Sequence, residues 1–259
     1  MPSATPLAGH PTVIPIPILS DNYAWRLVDP ASGAVAVVDP ADADAVIAAL
    51  ESPELEQGRG RLDLVLLTHH HSDHIAGAEQ VARHFGARMV GAAQDAARLP
   101  PLDLAVSPGD HVRLGEWVGE VIDTPGHTRG HISYFFPASG GSPPILFCAD
   151  TLFSLGCGRL LEGTASEMFS SLQRLARLPD DTLVCCGHEY TESNARFAMS
   201  LGNASAALNE RVREVTGLRR AGTPTVPVRL GLERATNPFL IADDVSTLAA
   251  LRSRKDSYR

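Results

Sequence analysis

The sequence predicts an α/β protein that ends in a helical segment. Short apolar runs of strand length alternate with helical patterns as far as residue 188, and beyond it the strand patterns fade while helical ones continue. Four of the runs stop abruptly at a histidine or an aspartate. Because open α/β folds place their sites at strand ends, we expect one functional site there. We place a domain boundary near residues 189–192, which gives domains of residues 1–188 and 189–259.

The composition is typical of a folded protein with a sizeable core. Of the 259 residues, 44% are hydrophobic and 20% are charged, which excludes a disordered tail protein. No apolar run approaches the ~20 residues of a membrane helix, and we find no secretory signal pattern. The four cysteines form no C-x-x-C pattern and are expected to be buried free thiols. The sequence therefore predicts a cytoplasmic protein without a membrane partner, and we expect a monomer.

The net charge of −8 is unevenly distributed along the chain. Residues 1–188 contain 11 basic and 22 acidic side chains, a balance of −11, whereas residues 189–259 contain 11 basic and 8 acidic ones, a balance of +3. An acidic body argues against broad nucleic-acid binding, so we predict no nucleic-acid partner. The basic C-terminal segment could bind a small anion, although charge alone favours a solvated helical surface.

Turn residues and periodicity predict the elements of the first half of the chain. Strands are expected at residues 13–19, 24–28, 34–38 and 62–67, and a short Ala-rich helix at residues 42–50. After the fourth strand, Ile75, Ala78, Ala82 and Phe85 recur at helical spacing. A histidine cluster therefore lies on a loop that joins a strand to a helix.

The second half repeats this arrangement before it becomes helical. Strands are expected at residues 117–122, 145–148 and 182–186. Thr164 and Glu167 match a capping box at the start of a helix. Further helices are expected at residues 192–201 and 205–218, then an irregular Pro- and Gly-containing arm at 221–238, and a last helix around residues 245–251 that Asp243 or Asp244 caps.

The strongest functional signal is the run Thr-His-His-His-Ser-Asp-His, which begins at residue 68. Clustered protonated histidines would be costly on a loop, whereas neutral imidazoles facing a divalent metal ion are stabilised. His69 and His71 alternate, so on extended backbone they point the same way. Asp73 and His74 follow where the chain turns into the helix and can aim at a second point nearby. The alternatives are a polar loop that arose by chance and a solvent-exposed run of histidines.

Three later strand ends add to this cluster. His127, Asp150 and His188 each stand where an apolar strand meets a turn, and singly each would be an ordinary turn former or a satisfied polar residue. Together with the cluster, in which His70 is expected to be a bystander, they supply five imidazoles and two carboxylates. That number suits two divalent metal ions, roughly 3.5–4 Å apart, that keep room for water or substrate. Ligands without thiolate favour zinc, with iron or manganese as alternatives.

The complete pattern resembles the metallo-β-lactamase superfamily, and within it the glyoxalase II (hydroxyacylglutathione hydrolase) family. The motif is Thr68-His69-x-His71-x-Asp73-His74, followed by His127, Asp150 and His188. Family-like stretches are Asp21-Asn22-Tyr23, Gly156-Cys157-Gly158-Arg159, Gly187-His188-Glu189-Tyr190-Thr191, Asn237-Pro238-Phe239 and Arg252-Ser253-Arg254-Lys255-Asp256. The resemblance covers nearly the whole chain. It implies a metallo-β-lactamase-type αββα sandwich followed by a small C-terminal helical domain.

The resemblance also implies roles for particular side chains. One metal ion is held by His69, His71 and His127, the other by Asp73, His74 and His188, and Asp150 bridges both. Catalytic roles are implied for Asp73 and Asp150. The glutathione part of the substrate is held by Arg159, Tyr190, Arg252 and Lys255, the last being the only lysine of the chain. The sequence departs from the family at Leu161, where an aromatic residue is frequent, and at Ile241, where a basic residue is common.

The activity that the resemblance implies is hydrolysis of a thioester. A hydroxide held between the two metal ions would convert S-(D-lactoyl)glutathione to D-lactate and glutathione, the second step of methylglyoxal detoxification. One alternative is another enzyme of this fold, such as a glutathione persulfide dioxygenase with a single iron. The other is a metal-binding module without catalytic activity. A β-lactamase is disfavoured because the strand end carries Asp150 instead of a cysteine, and a nuclease because the body of the protein is acidic.

Overall fold

Two six-stranded β-sheets form the centre of the computed structural model, which describes residues 12–258. The first sheet contains, in spatial order, β1 (Val13–Ile18), β2 (Asn22–Val28), β3 (Val35–Val38), β4 (Leu64–Leu66), β5 (Arg88–Ala92) and β6 (Leu104–Val106). The second sheet contains β7 (His111–Leu114), β8 (Trp117–Asp123), β9 (Ile132–Phe136), β10 (Ile145–Ala149), β13 (Leu183–Cys186) and β14 (Val228–Arg229). Its spatial order is β14-β13-β10-β9-β8-β7. Between β10 and β13, a small hairpin pairs β11 (Leu152–Phe153) with β12 (Gly156–Cys157).

Helices surround the sheets and make up most of the C-terminal part. They are α1 (Ala43–Glu51), α2 (Ser72–Ile75), α3 (Ala78–Phe85), α4 (Ala165–Leu175), α5 (Thr191–Ser200), α6 (Ala206–Arg220), α7 (Leu230–Thr236), α8 (Pro238–Ile241) and α9 (Val245–Asp256). The capping box predicted before α4 is present, and Asp244 caps α9 through its side chain. Within residues 12–258, none of the helices combines the length and the apolar character needed to cross a bilayer.

Alternating side chains on the strands explain the layers. Ala36 and Val38 of β3 face the core between the two sheets, whereas Val35 and Val37 pack in a second core. That second core also contains Val46 of α1 and residues of α3, so these helices cover the outer face of the first sheet. Both faces of β10 and β13 are buried, and the apolar side of α4 belongs to the same cluster. The layer order is helix, sheet, sheet, helix, as the resemblance implied.

The predicted element boundaries are largely confirmed. The residues expected on one helix from Ile75 to Phe85 lie on two, because α2 ends at Ile75 and α3 begins at Ala78. Two further corrections apply. The first concerns short strands that the sequence analysis omitted, notably β5, β6, β7 and β9, several of which are too short to show a period. The second concerns residues 221–238, which were expected to be an irregular arm. They contain α7 and also β14, which pairs antiparallel with β13 and adds an edge strand to the second sheet.

Candidate metal centre

Four strand ends meet at one end of the sandwich. β4 of the first sheet leads into the histidine cluster, and β8, β10 and β13 of the second sheet lead to the other predicted side chains. The two sheets are joined here by backbone hydrogen bonds: Tyr23 N donates to Gly187 O at 2.8 Å, and Glu189 N donates to Asp21 O at 2.8 Å. The fold therefore brings together side chains that lie far apart in the sequence.

Three histidines form the first group. His69 Nε2 and His127 Nε2 lie 3.1 Å and 3.0 Å from His71 Nδ1. The nitrogens of these three rings could hold one metal ion. Since His69 and His127 are buried and His71 is partly exposed, the group opens to solvent on one side only.

A second group lies beside the first, with Asp150 between them. Asp73, His74 and His188 could hold a metal ion, with Asp73 Oδ2 located 3.9 Å from His74 Nε2 and 3.6 Å from His188 Nε2. Asp150 Oδ2 lies 3.4 Å from His127 Nε2 of the first group. Asp150 Oδ1 lies 3.4 Å from His74 Nε2 and 3.5 Å from His188 Nε2. Its two oxygens thus face different groups, which is the geometry that a bridging carboxylate requires.

Glycine is required where the groups approach most closely. A Cβ atom at Gly187 would lie 2.6 Å from Asp150 Oδ1 and 2.7 Å from His74 Cε1. A Cβ atom at Gly158 would lie 1.8 Å from the backbone oxygen of Asp150. The backbone before this carboxylate is also strained, because Ala149 has φ of 35°. Strain and close packing of this kind are typical of functional sites.

A second layer of hydrogen bonds orients the rings. His74 Nδ1 lies 3.0 Å from Asp39 Oδ2, and His188 Nδ1 lies 2.9 Å from Asp21 Oδ1. His127 Nδ1 donates to the carbonyl oxygen of Arg159 at 2.8 Å. These partners hold the proton on Nδ1, so that Nε2 of each ring presents its lone pair to the centre.

Burial and neighbouring charges set the protonation states. Burial lowers the pKa of His69 well below its usual range, and it also lowers the pKa of His71 and of His127. At His74 burial acts in the same direction, but the charges and hydrogen bonds of Asp150 and Asp39 together outweigh it and raise the pKa well above the usual value. Burial alone would raise the pKa of Asp150, yet His74 and His188 hold it well below its usual range. The first group is therefore neutral, and the second attracts positive charge.

The donor set fits metal binding. The side-chain atoms His74 Nε2 and Asp150 Oδ1 are buried without a hydrogen-bond partner, which is costly unless another group satisfies them. Both point into the space between the two groups. Neutral imidazoles and ionised carboxylates are the forms that bind divalent ions, so a metal ion would satisfy these atoms and replace the protons that the second group otherwise attracts.

A cleft of about 420 Å³ leads from this centre to the C-terminal helix. His127 and Asp150 line it at the metal side, and Arg252 and Lys255 of α9 line it as well. The remaining lining residues are Phe153, Cys157, Arg159, Tyr190, Ser193, Asn194 and Tyr258. All four side chains expected to hold the substrate therefore line the same cleft as two of the expected metal ligands.

The four expected substrate contacts differ in how they are held. Arg252 is only 5% exposed and donates through Nη1 to the Cys157 carbonyl at 2.7 Å. Lys255 Nζ donates to the backbone oxygen and the hydroxyl of Ser193 at 3.2 and 3.1 Å, which leaves one of its three protons for a ligand. Tyr190 stacks on the His188 ring with a centroid distance of 4.6 Å, and the Arg159 side chain is mostly exposed.

Several functional neighbours were missed by the sequence analysis. Asp39 also accepts hydrogen bonds from the backbone N and the hydroxyl of Thr68, at 2.9 and 2.7 Å, and so fixes both ends of the histidine cluster. It directly follows β3, so the strand-end pattern that identified Asp150 could have found it. Ser193 carried no such signal. His70, expected to be a bystander, turns away from the centre and lies 3.1 Å from Asp95 Oδ2.

Comparison with known proteins identifies the class. A sequence model described as the metallo-beta-lactamase superfamily matches residues 22–188. The crystal structure of ETHE1 from Myxococcus xanthus superimposes with a TM-score of 0.67 and 27% identity, covering 90% of this chain and 86% of that one. The fold, the histidine and aspartate centre and this match define a member of the metallo-β-lactamase superfamily.

The C-terminal part narrows the assignment further. A model described as the hydroxyacylglutathione hydrolase C-terminus matches residues 189–258. A hydroxyacylglutathione hydrolase of Acidiphilium cryptum is 52% identical over 95% of this chain and 97% of its own length. One of Rhodobacter capsulatus is 52% identical over 92% and 89%. The chain belongs to the hydroxyacylglutathione hydrolase family, and the resemblance drawn from the sequence is confirmed.

Replacement of Asp39 tests the second layer. We expect Asp39→Ala to weaken metal binding by about 10–100-fold, because His74 and Thr68 lose the partner that orients them. Metal affinity would be measured by competition with a chelator. The control is Asp44→Ala, which removes a carboxylate that accepts an exposed hydrogen bond from Gln80. Equal affinities for both variants and the wild type would contradict the orienting role of Asp39.

Proposed function

We propose that the chain hydrolyses the thioester S-(D-lactoyl)glutathione to D-lactate and glutathione. The observation that carries this proposal is the cleft in which metal-type ligands and cationic side chains line one continuous space. The names of the relatives supply the substrate class. A thioester of glutathione needs both features, because its reactive carbonyl and its terminal carboxylates are separated along one flexible peptide.

We further propose that the centre holds two divalent metal ions, with zinc as the first choice and iron and manganese as alternatives. The assignment gives His69, His71 and His127 to one ion, and Asp73, His74 and His188 to the other, with Asp150 between them. The distances from the two oxygens of Asp150 to the two histidine groups support it. The lack of a thiolate among these side chains also agrees with this choice of metals.

The residues around the centre have defined tasks in such a reaction. Bound divalent ions would lower the pKa of water towards neutrality and stabilise negative charge on a carbonyl oxygen. Asp73 accepts a hydrogen bond from Asn22 Nδ2 at 3.2 Å and is partly exposed, so it can orient a water molecule from the solvent side. The buried negative charge of Asp150 lies between the two groups of candidate metal ligands and would help to hold both ions. Because a thiolate is a good leaving group, no strong protein acid is required.

The other end of the cleft recognises the anionic peptide in this proposal. Arg159, Arg252 and Lys255 carry positive charge around the space, and Tyr190 and Phe153 form an aromatic wall beside the metal centre. Charge-assisted hydrogen bonds to carboxylates are strong and directional, so these cations would fix the substrate while its thioester reaches the metals. Residues 189–259 thereby act as a substrate-binding domain and residues 1–188 as the catalytic one.

Persulfide oxygenation is the second candidate from the sequence, and two observations disfavour it. Residues 189–258 match the hydroxyacylglutathione hydrolase C-terminus, and the second group of ligands provides a site for a second ion. Oxygen uptake with glutathione persulfide as substrate would support that candidate.

We also propose that the protein is cytoplasmic. All four cysteines are buried and unpaired, which agrees with a reducing compartment such as the cytoplasm.

The first prediction for the proposed reaction concerns the metal ligands. His71→Ala and Asp150→Ala should each abolish hydrolysis of lactoylglutathione and lower the metal content, because each removes a donor that no neighbour replaces. Turnover and metal content would be measured on the same preparations. Unchanged activity in either variant would contradict the two-metal assignment.

The second prediction concerns the anion-binding cations. Lys255→Ala should raise KM for lactoylglutathione about tenfold, since one charge-assisted contact contributes ~1.5 kcal/mol. The matched control is Arg254→Ala, an exposed cation on the same helix that does not line the cleft. A KM that is equally unchanged in both variants would show that Lys255 is an ordinary surface cation.

The third prediction concerns pH. Burial, with help from Arg252, Arg196 and Arg159, lowers the pKa of Lys255 to about 8. The ammonium that binds the substrate is present below that pH and is lost above it, so kcat/KM should fall as the pH rises through about 8. The profile would be measured with spontaneous hydrolysis subtracted. Lys255→Arg should remove this limb because a guanidinium does not titrate there; an identical limb in that variant would contradict the assignment.

A further inference from the structure

One part of the C-terminal motif has no role in the reaction proposed above. Asp256 is the last residue of α9 and follows Lys255 directly. Its Oδ1 atom accepts a hydrogen bond from Arg252 Nε at 3.0 Å and forms an ion pair with Arg252 Nη2 at 2.9 Å. The same oxygen lies 3.8 Å from Arg159 Nε, on the loop that follows the β11–β12 hairpin. One carboxylate oxygen therefore stands between two cations that come from different elements of the fold.

Helix stability does not explain an aspartate at this position. The C-terminal end of a helix carries partial negative charge, so a carboxylate there is unfavourable. The pair also has its cation four residues before its anion, which is the weaker orientation on a helix. Arg252 is buried and tied to the Cys157 carbonyl, unlike a typical exposed helical pair. The two arginines that Asp256 contacts both line the cleft, so we looked for the role of this carboxylate there.

A negative charge beside the three cations of the cleft reduces the repulsion among them. Arg159, Arg252 and Lys255 line the same space, and like charges so close repel one another when no ligand is bound. Lys255 is affected directly: burial lowers its pKa most, Arg252, Arg196 and Arg159 lower it further, and Asp256 raises it. Without the Asp256 carboxylate, Arg252 would lose its hydrogen bond and ion pair on α9. The exposed Arg159 would lose its ion-pair partner on the same helix.

We propose that Asp256 is a positioning residue for glutathione thioesters, whose carboxylate draws Arg252 and Arg159 together at the substrate-binding end of the cleft. The inference rests on the proposed function, since it concerns the substrate-binding end of the same cleft. It assigns to Asp256 no contact with the substrate. The carboxylates of the substrate are bound by the cations that Asp256 arranges.

Asp256→Asn is the test, because it keeps a hydrogen-bond acceptor of the same size and removes the charge. We expect kcat/KM for lactoylglutathione to fall about tenfold relative to kcat/KM for a neutral thioester without the peptide. The alkaline limb of the kcat/KM profile should also move to lower pH. Asp243→Asn is the control, since it removes one exposed carboxylate just before the other end of α9 and should change neither quantity.

A double-mutant cycle identifies the partner through which Asp256 acts. If Asp256 positions Arg159, its replacement should cost less in an Arg159→Gln background than in the wild type. Additive losses would overturn the bridging role, and a lower KM in Asp256→Asn would show that the carboxylate competes with the substrate. Wild-type protein that hydrolyses lactoylglutathione while Asp256→Asn matches it would refute this inference alone. Metal-loaded wild-type protein without that activity would refute the proposed function itself.

Discussion

Asp150 lies with one carboxylate oxygen 3.4 Å from His127 Nε2 and the other 3.4 Å from His74 Nε2. A buried carboxylate is unfavourable unless positive charge or hydrogen bonds compensate for it. The surrounding structure provides that compensation in a form that also suits metal ions. Gly187 leaves room for the approach of the rings, and the strained Ala149 aims the carboxylate between them. Both histidine groups therefore face this one carboxylate.

The sandwich converts that local constraint into a cleft. The pairing of the strands places the histidines and aspartates at one end of the sandwich. The C-terminal helices pack at the same end and contribute cationic side chains to the cleft. The β11–β12 hairpin joins the two parts, because Asn237 of the C-terminal segment donates to the carbonyls of Phe153 and Gly156, both at 3.0 Å. The buried carboxylate of Glu233 accepts from Leu155 N at 2.7 Å and fixes the same turn. Buried polar contacts thus fix the position of the candidate metal centre relative to the cationic end of the cleft.

Much of the centre could be predicted from sequence because its signals are local. His69, His127, Asp150 and His188 each follow an apolar strand within a few residues, and strand ends of this kind converge in α/β folds. Asp39 was missed although it carries the same signal, because a lone aspartate after a strand is more often a turn residue. The contacts of Lys255 with Ser193 could not be predicted, since they depend on how α5 and α9 pack. The short edge strand β14 depends likewise on pairing with β13 and has too few residues to show alternation.

The most direct test of the proposed two-metal centre combines activity with metal content in one titration. Purified protein would be stripped with a chelator and reloaded stepwise with zinc, and both bound metal and hydrolysis of lactoylglutathione would be measured at each step. We predict that metal-free protein is inactive and that hydrolysis rises with bound zinc until two ions per chain are present. Hydrolysis by the stripped protein, or a fully loaded protein that leaves lactoylglutathione intact, would contradict this prediction.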